Sequence, residues 1–259
     1  MDIHITEPVD RAIDFDRTRW LRCPVCLHSW EVGWDFIEEW DDCQTGCPSC
    51  GILANHELVT RPPYIQAPNE AMADDALVRK SSWFHTSFHS DWPRANYNPL
   101  DDYSPAAAKR ILEDQGGLYA RWAPQQENKA LHVGTYEAAV ANLYRRLDGQ
   151  TGYHDLNFHI YRLQLSETAI IQSGIFPELS NCVGDVDLDE VCPWPNEVTR
   201  YVNIREDESS VSLAVRRSAI FRVQSVKLID LPVDPAEVDM IKRRIEKADA
   251  LPPRPPRKN

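Results

Sequence analysis

The chain has 259 residues, 42% apolar and 26% charged, with eight tryptophans; a sequence this rich in large apolar side chains can bury a core, which excludes disorder throughout. Lys and Arg number 28 against 40 Asp and Glu, a net charge of −12, and such a field repels phosphate backbones and acidic bilayers, which excludes non-specific coating of nucleic acid. No apolar run reaches the roughly 18 residues that cross a bilayer, and the opening MDIHITEPVDRAIDFDR lacks the basic start and apolar stretch of an export signal, so a cytosolic location without a membrane partner is expected.

Taken in chain order, the first organised segment is cysteine-rich. Seven cysteines are an odd number for a disulfide framework, and five of them lie between positions 23 and 50. Cys23-Pro-Val-Cys26 and Cys47-Pro-Ser-Cys50 are two C-x-x-C knuckles 20 residues apart, a spacing that lets two tight turns present four thiolates to one Zn²⁺. A zinc ribbon is expected over 17–62, closed by Pro62-Pro63, with Cys43 and His28 as alternative ligands. Four thiolates leave no coordination position for water, so the ion is structural and contributes folding energy. Trp20, Trp30, Trp34 and Trp40 supply the small core. Between Arg17 and Arg61 four arginines and no lysine face seven acidic residues, which favours a structural or protein-binding ribbon over one that stacks on nucleic-acid bases.

Residues 63–80 read as a linker or short helix, with a helix-like run at 69–79. Trp83 to Ser87 reads as a strand. Ser104-Pro105 supplies an N-cap and first-turn proline for a helix over 106–114, ended by Gly116-Gly117. Leu131 to Val133 reads as a strand, and Thr135 caps a helix whose Val140, Leu143, Tyr144 and Leu147 recur at i, i+3, i+4, i+7 until Gly149. Strands are expected at 157–165, 200–204, 211–215 and 219–229, where β-branched residues concentrate between polar turns. Asp234-Pro235 opens an amphipathic helix to about 250, followed by the tail LPPRPPRKN. From Lys242 to Asn259 seven basic residues face two acidic ones, so 232–259 forms a locally basic helix and Pro/Arg-rich tail. There is no internal repeat, and the order of elements indicates an α+β fold.

Three motifs remain: Trp83-Phe84-His85-Thr86-Ser87, Leu131-His132-Val133-Gly134-Thr135 running into a helix, and Tyr201-Val-Asn203-Ile-Arg205-Glu206-Asp207-Glu208 followed by Ser210. Their order over 81–231 resembles the ADP-ribosyltransferase fold, a split mixed β-sheet in which an early-strand histidine, an aromatic or hydroxyl residue on a second strand and a late glutamate surround NAD⁺. The resemblance implies that His85, with Thr86 and Ser87, holds a ribose hydroxyl. It implies further that His132, Gly134, Thr135 and Tyr136 line the nicotinamide pocket, that Asn203 and Ser210 complete the NAD contacts, and that Glu206 or Glu208, with His132, is catalytic. This chain departs from the family at the second motif, where Tyr136 already begins the helix. Cytosolic enzymes of this kind include toxins of toxin–antitoxin and phage-defence systems, which implies a nucleic-acid or protein acceptor and an antitoxin or other protein regulator. NAD⁺ hydrolysis and RNA 2′-phosphotransfer are alternative reactions on the same fold, and a non-enzymatic zinc-ribbon adaptor is the alternative outside it.

The chemistry suits these residue types on its own terms. Nicotinamide leaves as a neutral ring, so no general acid is needed, and a nearby carboxylate stabilises the oxocarbenium-like ribose. No G-x-G-x-x-G, G-x-x-x-x-G-K-[ST] or G-x-S-x-G pattern occurs, so the dinucleotide, P-loop and hydrolase-elbow routes lack support.

Overall fold

A computed structural model of the chain describes residues 8–53, 64–93, 100, 105–113, 117–149, 158–178 and 186–227. Its described residues form an α+β arrangement with three sheets. The expected C-terminal helix and tail lie outside them.

The first sheet is small and antiparallel, in the order β2-β1-β3, from β1 (Arg19–Arg22), β2 (Ser29–Val32) and β3 (Tyr64–Ile65). Cys23 and Cys26 occupy the turn between β1 and β2. Helix α1 (Trp34–Asp41) follows, and its Ile37 joins Leu21, Val32 and Tyr64 in a core of four buried residues edged by Trp30, Trp34 and Phe36. The pairing with β3 carries this sheet just past residue 62.

The second sheet has the order β10-β6-β4, with β4 (Trp83–Ser87), β6 (His159–Leu165) and β10 (Ile220–Lys227), all antiparallel. The third has the order β5-β9-β8-β7, from β5 (Leu131–Val133), β7 (Ile171–Phe176), β8 (Val198–Val202) and β9 (Val211–Val215), with β7 and β8 parallel. Every residue of β8 and β9 is buried, including Arg200. That guanidinium is satisfied by the carbonyls of Met72, Ala73, Gln172 and Gly174 and by Asp75 at 2.9 Å, so it ties α2 (Asp75–Lys80) to this sheet. One apolar cluster joins the two larger sheets through Trp83, Leu163 and Leu165 on one and Val133, Val198 and Leu213 on the other.

Among the described residues, the two larger sheets are bridged between Phe84 and Gly134, whose main-chain groups exchange N–H···O bonds of 2.8 and 2.9 Å. Glycine suits this position, since a Cβ would lie 2.9 Å from the Ser212 hydroxyl and 3.1 Å from the Ala138 methyl and would force one of them to shift. Immediately after it comes α5 (Tyr136–Gly149), with Thr135 capping as expected by accepting the Ala138 N–H at 3.1 Å. Val140 and Leu143 are fully buried, and the helix packs through Ala139 and Val140 onto Phe84 and Ile160.

The helix expected at 106–114 is α3 (Pro105–Glu113). The run at 69–79 divides into a 3-10 turn at Ala71–Ala73 and α2, because Glu70 and Asp74 each accept a main-chain N–H and start a new turn. Strand β8 begins at Val198 and stops at Val202, where the Asn203 side chain turns the chain away. Helices α1, α4 (Leu118–Glu127) and α6 (Leu188–Val191) and strand β7 are additional to the expected elements.

Candidate functional site

The knuckles bring Cys23, Cys26, Cys47 and Cys50 together, with all four sulfurs within 4.8 Å of one another. Cys23 Sγ lies 3.7 Å from Cys50 Sγ, and Cys26 Sγ lies 3.6 Å from Cys47 Sγ. A tetrahedron of thiolates around zinc at about 2.3 Å has edges of about 3.8 Å, so this group could hold a zinc-like metal ion. Main-chain N–H groups of Val25 and Cys26 point at the Cys23 sulfur and that of Ser49 at Cys47, which favours thiolates. A hydrogen bond from the His28 main chain, reinforced by neighbouring thiols, lowers Cys26 to about 7. An Ile52 main-chain bond acts the same way on Cys50, yet burial and the three other sulfurs push that thiol up to about 12. Neither Cys43 nor His28 is among the four; the His28 ring stacks on Trp30.

The ribbon grips the loop that follows β8. Arg17 Nε donates to the buried Asp207 carboxylate at 2.8 Å, and its Nη2 reaches the Asp207 and Glu208 carbonyls. Arg19, fully buried, lies 3.7 Å from Glu208 Oε2 and stacks over Trp34. The Ser209 hydroxyl accepts from the Trp20 N–H and donates to its carbonyl, each at 3.0 Å. Ile204 packs against the ribbon core. Burial would raise Asp207, but Arg17, the Thr135 hydroxyl at 2.6 Å and Arg19 outweigh it and hold the carboxyl below its ordinary range.

The same loop is shaped from within by Asn203, whose Oδ1 accepts the main-chain N–H groups of Arg205, Glu206 and Asp207 at 2.9, 2.9 and 3.3 Å. Glu206 points the other way from its acidic neighbours. Its side chain is 19% exposed, and its Oε1 accepts from Asn142 at 3.3 Å and faces Arg145 at 3.6 Å. Of the two expected catalytic carboxylates, Glu208 is therefore shut beneath the ribbon and Glu206 is accessible.

His85 and His132 stand on either side of the junction between the larger sheets. His85 Nδ1 is 2.7 Å from the His132 carbonyl; a carbonyl can only accept, so the proton is on Nδ1 and a neutral ring carries its lone pair on Nε2. The ring stacks on Trp92 at 4.1 Å, and Trp92 in turn packs on Tyr161. His132 Nδ1 lies 2.9 Å from the Tyr201 hydroxyl. Burial, with the Glu178 and Glu206 charges, raises Tyr201 well above its ordinary value, which puts both carboxylates within electrostatic reach of the histidine's partner.

Other expected site residues make contacts within the fold. Thr86 donates to the Ala139 carbonyl at 2.6 Å, facing α5. Ser87 is buried and accepts the His89 N–H. Tyr136 lies in the apolar cluster against Phe15 and Phe84. Ser210 is buried, its N–H donating to the Asp207 carbonyl and its carbonyl accepting from Asn203.

Sequence reasoning placed Tyr201 and Asp207 in the third motif without giving them a role, and did not single out Asn142, Arg145, Glu178 or Trp92. Spacing could have found some of them: Ala138, Asn142 and Arg145 recur at i, i+4, i+7, and Tyr201 shares a strand face with Asn203. Glu137 was also missed. It is buried, salt-bridged to Arg11 at 2.6 Å, and raised by burial against that attraction. Compared with protein-family models, curated proteins and solved structures, the chain matches none of them.

Proposed function

We propose that the protein is an NAD⁺-dependent ADP-ribosyltransferase that transfers ADP-ribose to a nucleic-acid or protein acceptor. The observation that carries this reading is the junction of the larger sheets. His85 and His132 flank the Phe84–Gly134 bridge, and Glu206 extends from the loop after β8 with its charge felt by the phenol that touches His132. In this reading a dinucleotide laid along the junction lies beside His85 and His132 and meets the Glu206 carboxylate, which Asn142 and Arg145 hold in place.

In this reading Glu206 hydrogen-bonds a ribose hydroxyl and stabilises the positive charge that develops at the anomeric carbon as the glycosidic bond to nicotinamide breaks. An acceptor nucleophile forms the new bond from the opposite face, and its proton passes to solvent. Glu208, paired with Arg19, fixes the loop. Structural zinc belongs to the ribbon and takes no part in the chemistry. A toxin or phage-defence setting with a protein inhibitor is consistent with this activity.

The test is incubation with NAD⁺ and, in turn, single-stranded DNA, duplex DNA, RNA and protein extracts. Free nicotinamide together with an ADP-ribose mass increment on one acceptor is the expected result. Nicotinamide with free ADP-ribose would make the enzyme a glycohydrolase, and no turnover of NAD⁺ with any acceptor would remove the reading. A second reading, a protein-binding ribbon, is favoured by Val25, Leu27 and Leu53, which are 62%, 69% and 57% exposed beside the knuckles.

A further inference from the structure

We propose that the cysteine group is also an oxidation site. Hydrogen peroxide takes the exposed Cys26 or Cys50, and the buried sulfur facing it from the other knuckle closes a disulfide that abolishes metal binding and loosens the Glu206 loop. The effect on NAD⁺ cleavage rests on the transferase reading; the disulfide does not.

The four sulfurs are not equivalent. Cys26 and Cys50 are exposed, whereas Cys23 and Cys47 are buried, so each knuckle contributes one thiol that solvent reaches and one that it does not. The close pairs cross between the knuckles. Exposed Cys26 Sγ lies 3.6 Å from buried Cys47 Sγ, and exposed Cys50 Sγ lies 3.7 Å from buried Cys23 Sγ. An accessible thiol with a shielded partner beside it is the arrangement that converts a first oxidation into a disulfide before more oxygen is added. Thiols that ligate a metal are deprotonated, so all four are nucleophiles at neutral pH.

The reaction balances with peroxide as the oxidant. The Cys26 thiolate attacks one peroxide oxygen, the O–O bond breaks, hydroxide leaves and the sulfur becomes a sulfenic acid. The Cys47 thiolate then attacks that sulfur, the S–O bond breaks and a second hydroxide leaves. The two sulfurs together lose two electrons and the peroxide gains them. Cys50 with Cys23 follows the same course. A disulfide spans about 2.05 Å, so either bridge draws in sulfurs that stand 3.6 or 3.7 Å apart and leaves too few thiolates for a tetrahedral set.

The knuckles reach the loop after β8 through a single strand. β1 (Arg19–Arg22) runs directly into Cys23, and Arg22 pairs with Ser29 across the first knuckle. Arg17, Arg19 and Trp20, which hold Asp207, Glu208 and Ser209, lie on that strand or just ahead of it. A distorted knuckle therefore disturbs the grip on the loop within one strand length.

The test treats the zinc-loaded wild-type chain with hydrogen peroxide, blocks free thiols and maps disulfides by mass spectrometry of its peptides. Cys26–Cys47 or Cys23–Cys50 bridges are expected, with zinc released and with Cys43 and Cys192 recovered as thiols. Dithiothreitol with added zinc reverses the change. Hydrogen exchange at 207–209 rises in step with the bridge, and Cys43→Ser, which keeps all four sulfurs, gives the same bridges. Bridges within one knuckle, a bridge to Cys43, sulfinic acid without a disulfide, or zinc release with no faster exchange at 207–209 would each overturn the proposal. Nicotinamide release by the oxidised protein falls about 100-fold, the cost of misplacing a reacting group by about 1 Å. Equal release before and after oxidation would overturn control of the loop and leave the transferase reading standing. Bridges and faster exchange in a protein that never cleaves NAD⁺ would remove the transferase reading and leave the oxidation site standing.

Discussion

The ribbon and the two-sheet body solve the problem of holding a chain together in different ways. Among the described residues the apolar cluster of the ribbon holds four buried residues, with Trp40 buried beside Trp30 and Phe36, whereas the largest cluster of the body joins twelve from two sheets and the segments between them. So small a core cannot by itself offset the entropy of ordering two knuckles, a short sheet and a helix. Four sulfurs at tetrahedral spacing could hold an ion that supplies what the ribbon lacks, and among the described residues the body has no such group. The two regions are nevertheless joined at the loop that carries Glu206, which Asn203 shapes from the body side and Arg17, Arg19 and Ser209 grip from the ribbon side.

Removing the metal breaks the comparison most sharply. Metal analysis should find one equivalent of zinc in the wild-type protein and none after Cys47 and Cys50 are replaced with serine or after chelation. Its loss should also unfold the ribbon, since structural zinc is worth on the order of 10 kcal/mol. Hydrogen exchange then separates the regions: amides of the ribbon and of 204–209 lose protection, and those of β8 and β9 keep it.

The next largest effect is at the seam. Asp207→Ala leaves the Arg17 guanidinium and the Thr135 hydroxyl without their buried acceptor, and one-sided removal from a buried pair costs about 3 to 5 kcal/mol. Urea unfolding of this variant checks the value, and a loss under 1 kcal/mol would mean that ribbon and body are only loosely coupled.

Acid probes the same carboxylate without mutation. The folded-state value of Asp207 lies below its unfolded value near 3.8, so its contribution is fully present above that pH and disappears as pH falls through the folded value. Urea midpoints measured from about pH 5 down to pH 2 should fall, and the fall should be shallower in Asp207→Asn. Smallest is Gly134→Ala, where the added methyl must displace Ser212 or Ala138; overpacking of this kind costs about 1 to 3 kcal/mol, read as a lowered melting temperature with zinc retained.

What could be read in advance follows the same division. The metal group depends on two local turns, and a local turn is written in four neighbouring letters, so Cys23 to Cys50 were legible. Helix α5 was legible because Thr135 caps it and Val140, Leu143 and Tyr144 keep its period. Strand β7 was not: Gly174, at a φ of +95°, interrupts the alternation of its sequence. Helix α4 carries Pro124 within it, a residue that ordinarily argues against a helix. The seam was least legible of all. Arg17 and Asp207 are 190 positions apart, and in the sequence an acidic run such as Glu206 to Glu208 looks uniformly solvated. Folding gives the three carboxylates different fates, two locked beneath the ribbon and one left accessible.

The accessible one decides the account. Nicotinamide release from NAD⁺ should be measured for the wild-type protein and for Glu206→Gln matched in zinc content and melting temperature. The account predicts release by the wild type and none above background by the variant. Equal release by both, or none by the wild type with every acceptor tried, would contradict it.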